Sequence, residues 1–312
     1  MGKAMRHLLE LWDWTAEEIL DLLKEASRLK KAHLRGKNKP SLQGHVLGLI
    51  FEKPSLRTRV SFQAAIAQLG GSSIFLSGAE VGLGSRETVP DFARTISNYV
   101  SGVVLRTFKH ETVAEFAAHA GCPVINGLSD YSHPCQALGD LLTLQEQCAP
   151  LEGRTLVFVG DGNNVARSLA IGCGKLGVHF ILAAPEGYGF DEPFLKNYRR
   201  AVPEGNLQQT NDPRKAVRAA DVIYTDVWAS MGQESEREHR QRKFTRFQVN
   251  ADLFKLAPAQ ARFMHCLPAH RGEEVTSDAI DGPRSIVFEQ AGNRMHAQKA
   301  LIKWLLLEQN HA

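Results

Sequence analysis

Short apolar runs that alternate with segments of helical spacing limit the fold of this chain more than any other feature of its sequence. Nine such runs can be marked: HVLGLIF (45–51), SSIFL (72–76), GVVLR (102–106), PVINGL (123–128), TLVFVG (155–160), HFILAAP (179–185), DVIYTDVW (221–228), RFMHCLP (262–268) and SIVFEQ (285–290). Their length and their β-branched residues are typical of buried strands, and segments between them repeat apolar residues at helical spacing. This alternation predicts parallel sheets whose faces are covered by helices.

The predicted strands form two sets, which indicates an α/β protein of two doubly wound parallel-sheet domains. The segment 133–147, HPCQALGDLLTLQEQ, is predicted to be one bridging helix between them, and a C-terminal helix, 293–309, is predicted to return to the first domain. The first domain is therefore predicted to comprise 1–147 with 293–312, and the second 148–292. A length of 312 residues fits two domains better than one.

Composition excludes several classes of protein. The net charge of +3 is too small to indicate nucleic-acid binding, and no basic run is interleaved with aromatic residues. No apolar run approaches the length that spans a membrane, and the opening segment MGKAMRHLLELWDW lacks the apolar core of a secretory signal. The five cysteines are odd in number and show no CxxC spacing, which predicts reduced thiols and a cytoplasmic protein.

The segment SLRTR (55–59) lies between a predicted buried strand and the predicted helix 60–69. Ligands of open α/β sheets bind beyond the carboxyl ends of the strands, where the first turn of a helix offers free N–H groups and the positive end of its dipole. Ser55 and Thr58 add hydroxyl groups, and Arg57 adds a planar guanidinium that fits phosphate oxygens in pairs. These residues predict an oxyanion site, although an N-capped helix with solvated arginines would have the same composition.

Two further segments bring cations and donors to the same predicted sheet edge. Arg106 ends the run GVVLR, and HPCQ (133–136) begins the predicted bridging helix with proline at its first position. His133 and Gln136 are three residues apart and therefore share one face of that helix. Together with SLRTR, they favour the oxyanion site over the solvated alternative.

Five motifs of the chain resemble the aspartate/ornithine carbamoyltransferase family: SLRTR, HPCQ, DVWASMGQE (226–234), HCLPAHRGEEV (265–275) and FEQAGNRMHAQKA (288–300). They occur in the family's order and without large gaps. S-x-R-T-R and H-P-x-Q are typical of the whole family, whereas SMG and HCLP are typical of its ornithine-specific members. The resemblance implies transfer of the carbamoyl group of carbamoyl phosphate to the side-chain amine of L-ornithine, which yields L-citrulline and phosphate in arginine biosynthesis.

The resemblance also implies which residues bind each substrate. In the first domain, carbamoyl phosphate would be bound by Ser55, Leu56, Arg57, Thr58, Arg106, His133, Gln136 and Arg294. In the second domain, ornithine would be bound by Asn164, Asp226, Ser230, Met231, Cys266 and Leu267. The implied catalytic residues are Arg106 and His133 at the carbonyl oxygen and Asp226 and Cys266 at the attacking amine. No cofactor or metal is implied, because phosphate is already a good leaving group, and the implied assembly is a homotrimer or a multiple of trimers.

Three residues depart from the family's pattern, and one of them is Gly292, which stands where an acidic residue is common. Leu56 stands where most members have threonine, so one hydroxyl is missing, although the backbone N–H there can still serve a phosphate. Gly82 stands where many ornithine enzymes have a glutamine that reaches a neighbouring subunit's site.

Other interpretations compete with this one. A carbamoyltransferase for N-acetylornithine, putrescine or aspartate would keep the same donor site, but the intact SMG and HCLP motifs favour ornithine. GDGNN (160–164) follows a predicted strand, yet it lacks the third glycine of GxGxxG and is a weak sign of a nicotinamide dinucleotide. His265, Cys266 and His270 could suggest a metal site, but no second thiol or carboxylate follows at ligand spacing, and His265 is better explained as structural.

A regulatory protein without activity is a third class, and it predicts the loss of key side chains that are all present here. Three smaller expectations concern polar and charged residues. Arg59 is predicted to be an internal ion-pair partner, His296 and Gln298 are predicted to lie on a helix surface, and 232–248 is predicted to be a solvated loop or an exposed helix.

Overall fold

In a computed structural model of the chain, residues 5–83, 85–229 and 234–307 are described. They divide into two compact units, one formed by the residues up to Leu142 together with those from Asn293 onward, the other by Thr143–Gly292. Both boundaries fall within helices, Pro134–Cys148 and Val287–Leu307. The predicted α/β class, with two parallel sheets and flanking helices, is confirmed.

The first unit is built on a four-stranded parallel sheet. Its strands are β1 (Val46–Phe51), β2 (Ser72–Ser77), β3 (Gly102–Arg106) and β4 (Val124–Leu128), in the spatial order β2–β1–β3–β4. Its helices are α1 (Ala16–Leu34), α2 (Leu56–Gln68), α3 (Gly78–Val81), α4 (Val89–Ile96), α5 (His110–His119) and the first part of α6 (Pro134–Cys148). Phe51 pairs with Arg106 in register, so the residues that follow β1 and β3 meet at one edge of the sheet.

The second unit contains a five-stranded parallel sheet. Its strands are β5 (Thr155–Val159), β6 (His179–Ala183), β7 (Leu207–Thr210), β8 (Val222–Thr225) and β9 (Arg262–His265), in the order β7–β6–β5–β8–β9. Its helices are α7 (Asn164–Lys175), α8 (Glu192–Ala201), α9 (Pro213–Ala216), α10 (Arg237–Phe244), α11 (Ala251–Phe254) and α12 (Ser277–Ile280), and α13 (Val287–Leu307) begins in it. Strand order reverses between β5 and β8, where Val159 pairs with Thr225.

Local sequence explains where the first helix begins. Thr15 accepts from the backbone N–H of Glu18, and the Glu18 carboxylate accepts from the backbone N–H of Thr15, so both form the capping box that their spacing predicts. The buried face of α1 consists of Ile19, Leu22, Leu23, Ala26 and Leu29, which recur at helical spacing. In the sheet of the same unit, every residue of β3 is buried.

One strand prediction was wrong, and one strand was not predicted. Residues 285–290 are not a strand, because burial there falls on Ile286, Val287 and Gln290 while Phe288 is exposed, which is the period of a helix, and α13 begins at Val287. The edge strand β7 was missed, since Leu207–Thr210 contains two glutamines and has no fully buried residue. An edge strand with polar side chains gives a weak pattern in the sequence.

The polar residues of α13 were also misjudged, because His296 and Gln298 are buried rather than at the surface. Lys299 is fully buried beside them and donates to Gln68 Oε1 at 2.9 Å. Burial, assisted by the positive charges of Lys299 and Lys30, lowers the pKa of His296 to about 4. The imidazole is therefore held neutral in the folded protein.

This burial predicts a loss of stability in acid. An unfolded histidine binds its proton below about pH 6.5, whereas folded His296 does so only near pH 4, so the unfolded state gains protons first as the pH falls between these values. We expect up to about 3 kcal/mol of stability to be lost over that window because of this one group. Thermal unfolding of His296→Gln between pH 6.5 and 4 should show a smaller slope than the wild type, and the same change at exposed His239 should leave the slope unaltered. An equal slope for the two variants would contradict the prediction.

Among the described residues, no helix is both long enough and apolar enough to cross a membrane.

Candidate active site

In the first unit, the segment SLRTR forms the beginning of α2 directly after β1. Ser55 is the N-cap: its Oγ accepts from the Thr58 backbone N–H at 3.3 Å and donates to Thr58 Oγ1 at 2.9 Å. Among the described residues, the backbone N–H groups of Leu56 and Arg57 have no acceptor. Both donors are therefore available to an anion that binds at the start of α2. The Leu56 side chain is 76% exposed and leaves only its backbone for this purpose.

Arg294 of α13 joins this helix start to the start of α6. It donates from Nη2 to Thr58 Oγ1 at 2.6 Å and from Nη1 to Gln136 Oε1 at 3.3 Å. The amide nitrogen of Gln136 donates in turn to Asp140 Oδ1 at 2.8 Å, which fixes the orientation of the Gln136 side chain. Thr58, Gln136 and Arg294, which lie far apart in sequence, thus form one buried network.

A glycine allows α13 to come this close to α6. A Cβ atom on Gly139 would lie 2.9 Å from the Arg294 Cα, a distance that real Cβ contacts do not show. Any larger residue at Gly139 would therefore move the backbone of Arg294 away from Thr58 and Gln136.

The electrostatics of this cluster are strongly cationic. Arg106 is 5% exposed at the end of β3, and burial together with the positive charges of Arg294 and Arg57 lowers its pKa to about 10. Its Nε has no hydrogen-bond partner among the described residues. Three guanidinium groups thus act on one region, and a bound dianion would relieve both their mutual repulsion and the unsatisfied donor.

His133 is the neutral member of the cluster. It is buried at the start of α6, and burial, with the charges of Arg294 and Arg106, lowers its pKa well below the usual value. Its backbone carbonyl accepts from the amides of Gln136 and Ala137, which fixes the residue at the helix start. A neutral imidazole can donate one hydrogen bond to a carbonyl oxygen without adding a fourth full charge.

In the second unit, β5 and β8 place polar residues together where the strand order reverses. Asn163 caps α7 through its Oδ1, which accepts from the amides of Val165 and Ala166, and its Nδ2 donates to Asp226 Oδ2 at 2.9 Å. Asp226 follows β8, is 8% exposed, and also accepts from the Val227 amide. This arrangement fixes both oxygens of the Asp226 carboxylate.

β9 supplies the thiol. Thr225 and His265 pair in register, so Cys266 follows β9 beside Asp226, and its Sγ donates to Asp226 Oδ1 at 2.9 Å. The thiol is therefore the donor and the carboxylate is the acceptor in this pair. Asn164 lies next to Asn163 as the first residue of α7, and Ser230 and Met231 lie outside the described residues.

A buried histidine shapes the turn that follows the thiol. Leu267 has a φ of +56°, which is strained for a residue with a branched side chain. Its N–H donates to His265 Nδ1 at 2.8 Å, and His265 Nε2 lies 3.1 Å from Glu274 Oε1, with both side chains fully buried. His265 thus has the structural role that the sequence suggested, and it fixes the peptide group between Cys266 and Leu267.

The spacing of residues in the sequence could not reveal that the Asp226 carboxylate lies beside His265 and Cys266. Asp226, His265 and Cys266 each offer a ligand atom within 4.8 Å of the other two, which is a possible grouping for a metal ion. However, both His265 ring nitrogens are engaged by Leu267 and Glu274, and the thiol is engaged by Asp226. A metal ion would have to break these contacts.

The expectation for Arg59 is wrong, whereas that for 232–248 holds for most of its described residues, since α10 is a largely exposed helix. Arg59 is exposed, and its guanidinium lies 3.8 Å from the centre of the Phe75 ring rather than in an internal ion pair. Within 232–248, Arg240 is 7% exposed and binds Asp161 Oδ2 at 2.5 Å and the Trp228 carbonyl at 3.0 Å. Asn163 and Glu274 lie within GDGNN and HCLPAHRGEEV, but those segments did not indicate their roles, and no motif pointed to Arg240. Only the position of Asn163 after a strand could have indicated its role.

A cationic oxyanion pocket in one doubly wound unit and a carboxylate–thiol pair in another define a two-domain α/β protein with two distinct polar sites. The chain belongs to the aspartate/ornithine carbamoyltransferase family: the model of the family's carbamoyl-P binding domain matches residues 6–146, and the model of its Asp/Orn binding domain matches residues 152–305. The family resemblance predicted from the motifs is thereby confirmed.

Relatives in the family are similar over nearly their whole length. The chain is 51% identical over 303 residues to an ornithine carbamoyltransferase of Pyrococcus abyssi (strain GE5 / Orsay), covering 96% of each protein. It is 52% identical over 301 residues to an anabolic ornithine carbamoyltransferase of Pyrococcus furiosus, again covering 96% of each. Among solved structures, ornithine carbamoyltransferase from Pyrococcus furiosus matches with a TM-score of 0.93 at 51% identity, covering 97% of both chains. The enzyme from Thermus thermophilus matches with a TM-score of 0.88 at 44% identity, covering 97% of this chain and all of that one.

Proposed function

We propose that this chain is an ornithine carbamoyltransferase, which transfers the carbamoyl group of carbamoyl phosphate to the side-chain amine of L-ornithine and releases L-citrulline and phosphate. The observation that carries the proposal is the buried cluster of Arg106, Arg294, Thr58 and neutral His133 beside Arg57 at the free start of α2. Relatives that are about half identical over almost the whole chain bear the same name. The anabolic name of the Pyrococcus furiosus relative supports a role in arginine biosynthesis.

In the first unit, carbamoyl phosphate would take its phosphate contacts from the start of α2 and from the guanidinium groups. Ser55, the amides of Leu56 and Arg57, and the side chains of Arg57, Arg106 and Arg294 supply these donors. The carbonyl oxygen would face Thr58, Arg106 and His133, and the carbamoyl nitrogen would be held by Gln136. This unit is therefore the proposed carbamoyl-phosphate-binding domain.

In the second unit, ornithine would be bound by Asn164, Asp226, Ser230 and Met231 at its α-amino and α-carboxylate groups. Cys266 and the carbonyl of Leu267 would face its side-chain amine. The fixed carboxylate of Asp226 supports this assignment, because a buried anion that already orients two donors suits a cationic amino acid. This unit is the proposed ornithine-binding domain.

The reaction forms a C–N bond and breaks a C–O bond. The neutral amine attacks the carbamoyl carbon, the electron pair of the carbonyl moves onto oxygen, and its return expels phosphate. Arg106 and His133 stabilise the developing oxyanion, and one such donor is typically worth roughly 3 kcal/mol. The departing phosphate can accept the proton that the amine loses. No step requires a cofactor.

The attacking amine must first be uncharged. A lysine-like amine has a pKa of about 10.4, so only a small fraction is neutral at pH 7. The Cys266–Asp226 pair is the proposed acceptor of this first proton: the thiol takes the proton of the amine and passes its own proton to Asp226 Oδ1, to which it is already hydrogen-bonded.

Replacing Cys266 by alanine tests this role. We expect kcat/KM for ornithine to fall by roughly 10- to 100-fold, with the acid limb of its pH profile displaced, because Asp226 loses its donor. Cys266→Ser keeps a donor to the carboxylate and should recover part of the rate. An unchanged rate and pH profile for Cys266→Ala would exclude the thiol from the reaction.

One assay tests the proposed function itself. Purified protein is incubated with carbamoyl phosphate and, separately, with L-ornithine, N-acetylornithine, putrescine and aspartate, and the carbamoylated product is measured by colour formation. We expect citrulline to form at a rate far above that of the other products. A higher rate with N-acetylornithine or putrescine would replace the proposed substrate, and no product with any amine would refute the transferase.

We also propose that the chain forms a homotrimer, or a multiple of trimers, through its first unit. Apolar side chains exposed on α2 and on the edge strand β2 support this assembly, since Leu56 and Val60 share one face of α2 and are 76% and 53% exposed. Ile74 of β2 is 47% exposed.

The five cysteines are free, which supports a reducing compartment such as the cytoplasm.

The assembly can be tested by placing a charge on this face. Val60→Asp is expected to shift the mass measured by light scattering from three chains towards one, because burying an unpaired carboxylate is costly. Leu34→Asp, at another exposed apolar position on α1, should leave the mass unchanged. A Val60→Asp variant that stays trimeric would show that α2 does not form the interface.

A further inference from the structure

We propose that Glu10, His110 and Ser129 form a carboxylate–imidazole–hydroxyl triad that positions the turn leading into His133. The effect on catalysis rests on the proposed function, whereas the positioning of the His133 ring can be observed without it. None of the three residues belongs to a motif or to the proposed substrate contacts.

One ion-pair contact and one side-chain hydrogen bond connect the triad across three parts of the first unit. Glu10 lies in the segment before α1, His110 begins α5, and Ser129 follows β4. Glu10 Oε1 is 3.2 Å from His110 Nε2, and His110 Nδ1 is 2.9 Å from Ser129 Oγ. One ring nitrogen of His110 thus contacts Glu10, and the other contacts Ser129.

The carboxylate of Glu10 indicates which ring nitrogen of His110 carries the proton. Because a carboxylate only accepts, the His110 Nε2 that faces Glu10 carries the proton, and in the neutral ring Nδ1 is then an acceptor for the Ser129 hydroxyl. The second oxygen of Glu10 is buried and has no hydrogen-bond partner among the described residues. His110 is therefore the group that contacts the other oxygen of this part-buried carboxylate.

Burial shows that the triad does not supply a nucleophile. The same order of groups activates a serine in hydrolases, but there the hydroxyl faces the substrate. Ser129 is fully buried, and its Oγ already accepts from the Ser132 amide at 3.2 Å and lies 3.4 Å from the Asn126 Nδ2. With its oxygen committed in this way, the hydroxyl can hold a backbone turn but cannot attack a substrate.

The turn that Ser129 holds ends one residue before His133. The Ser129 amide donates to the Ser132 carbonyl at 3.0 Å, so the side chain and the backbone of Ser129 both bind Ser132. Asp130 Oδ1 accepts from the His110 amide at 2.9 Å, which ties the same turn to the start of α5 a second time. His133 directly precedes α6, so its position is fixed by the turn before it and by the helix after it.

The other end of the triad is anchored in the sheet. The backbone N–H of Leu8 donates to the Val124 carbonyl, and the Leu8 carbonyl accepts from the Asn126 N–H. These bonds pair the segment before α1 with β4. Asn126 Nδ2 donates to the Leu9 carbonyl at 2.9 Å, directly before Glu10. Glu10 is thus a fixed support rather than a mobile surface carboxylate, and Glu10, His110 and Ser129 act as positioning residues for His133.

Two variants and a matched control test the triad. Ser129→Ala and His110→Ala each remove a link, and His119→Ala makes the same change at the other end of α5. We expect Ser129→Ala and His110→Ala to displace the His133 ring in crystal structures and to lower kcat/KM for carbamoyl phosphate by about 10- to 100-fold, while KM for ornithine stays unchanged. His110→Asn, whose amide oxygen can replace Nδ1 as acceptor for Ser129, should recover most of the loss.

A double-mutant cycle separates positioning from general destabilisation. In a His133→Gln background, His110→Ala should have almost no further effect on kcat/KM for carbamoyl phosphate, because it acts through His133. Full additivity, or an unmoved His133 ring together with kinetics equal to those of His119→Ala, would overturn the proposal. If the wild-type chain forms no citrulline, the proposed function fails, and the ring position in the crystals alone decides whether the triad positions His133.

Discussion

Replacing Arg106 by glutamine is expected to lower kcat/KM for carbamoyl phosphate by about 10³-fold or more. Arg106 is 5% exposed, and it would contact both the phosphate and the carbonyl oxygen of the substrate, so the variant loses ground-state binding and oxyanion stabilisation together. A 10³-fold loss corresponds to about 4 kcal/mol. Steady-state kinetics with carbamoyl phosphate as the varied substrate give the measurement.

The same substitution should not destabilise the protein without ligand. Because burial and two neighbouring guanidinium groups lower the pKa of Arg106 to about 10, its charge is unfavourable in the empty pocket at pH 7. The lowered value means that this cost disappears only above pH 10, where the folded protein can release the proton. We expect the melting temperature of ligand-free Arg106→Gln to equal or exceed that of the wild type, while the stabilisation by added phosphate is largely lost.

Arg59→Gln is the matched control for this prediction. Arg59 belongs to the same SLRTR motif, but its side chain is exposed and lies over Phe75. It should change kcat/KM by no more than a few fold. An Arg106→Gln enzyme with near wild-type kcat/KM, or an equal loss in Arg59→Gln, would contradict the proposed role of the pocket.

The second large effect is expected for Asp226→Asn. Both oxygens of Asp226 accept hydrogen bonds, one from Asn163 Nδ2 and the other from the Cys266 thiol. An asparagine must place its NH2 group against one of these donors, and it also removes the negative charge that would meet a cationic amino acid. We expect kcat/KM for ornithine to fall by about 10³-fold, with the dissociation constant of carbamoyl phosphate unchanged.

The separation of the two substrates makes this prediction specific. Calorimetric titration with carbamoyl phosphate should give the same affinity for Asp226→Asn and the wild type, since Asp226 lies in the other unit from the cationic pocket. Asp252→Asn, at an exposed carboxylate of the second unit paired with Lys255, should leave both kinetics and binding unaltered. A weaker affinity for carbamoyl phosphate in Asp226→Asn alone would show that Asp226 does not act only on the amine.

Sequence patterns predicted the parts of the fold in which burial follows a simple period. The buried strands of both sheets and the capping box of α1 are of this kind. In most proteins a short apolar run predicts a buried strand, and a pair such as Thr15 and Glu18 predicts the start of a helix. β7 and the start of α13 were not predicted. A polar edge strand resembles a loop, and residues 285–290 are apolar enough for a strand although they are buried at helical spacing.

The candidate site was predictable where a residue lies at the end of a strand or the start of a helix. Arg106 and SLRTR fall in that class, since the parallel pairing of β1 and β3 brings their ends together. The contacts that orient the site were not predictable, because the partner lies far away in sequence, as for Asn163 and Asp226, or lies nearby at no recognised spacing, as for Glu274 and His265. Asn163 binds Asp226 and Glu274 binds His265 only through the fold, and neither contact leaves a spacing that could be recognised.

The central claim is that guanidinium groups, exposed amides and a neutral imidazole at the switch point of the first sheet bind the phosphate and carbonyl groups of carbamoyl phosphate. A crystal structure with a phosphonate bisubstrate analogue of carbamoyl phosphate and ornithine tests it most directly. The claim predicts phosphonate oxygens within hydrogen-bond distance of Arg57, Thr58 and Arg106. Density for the phosphonate at any other place in the chain would contradict it.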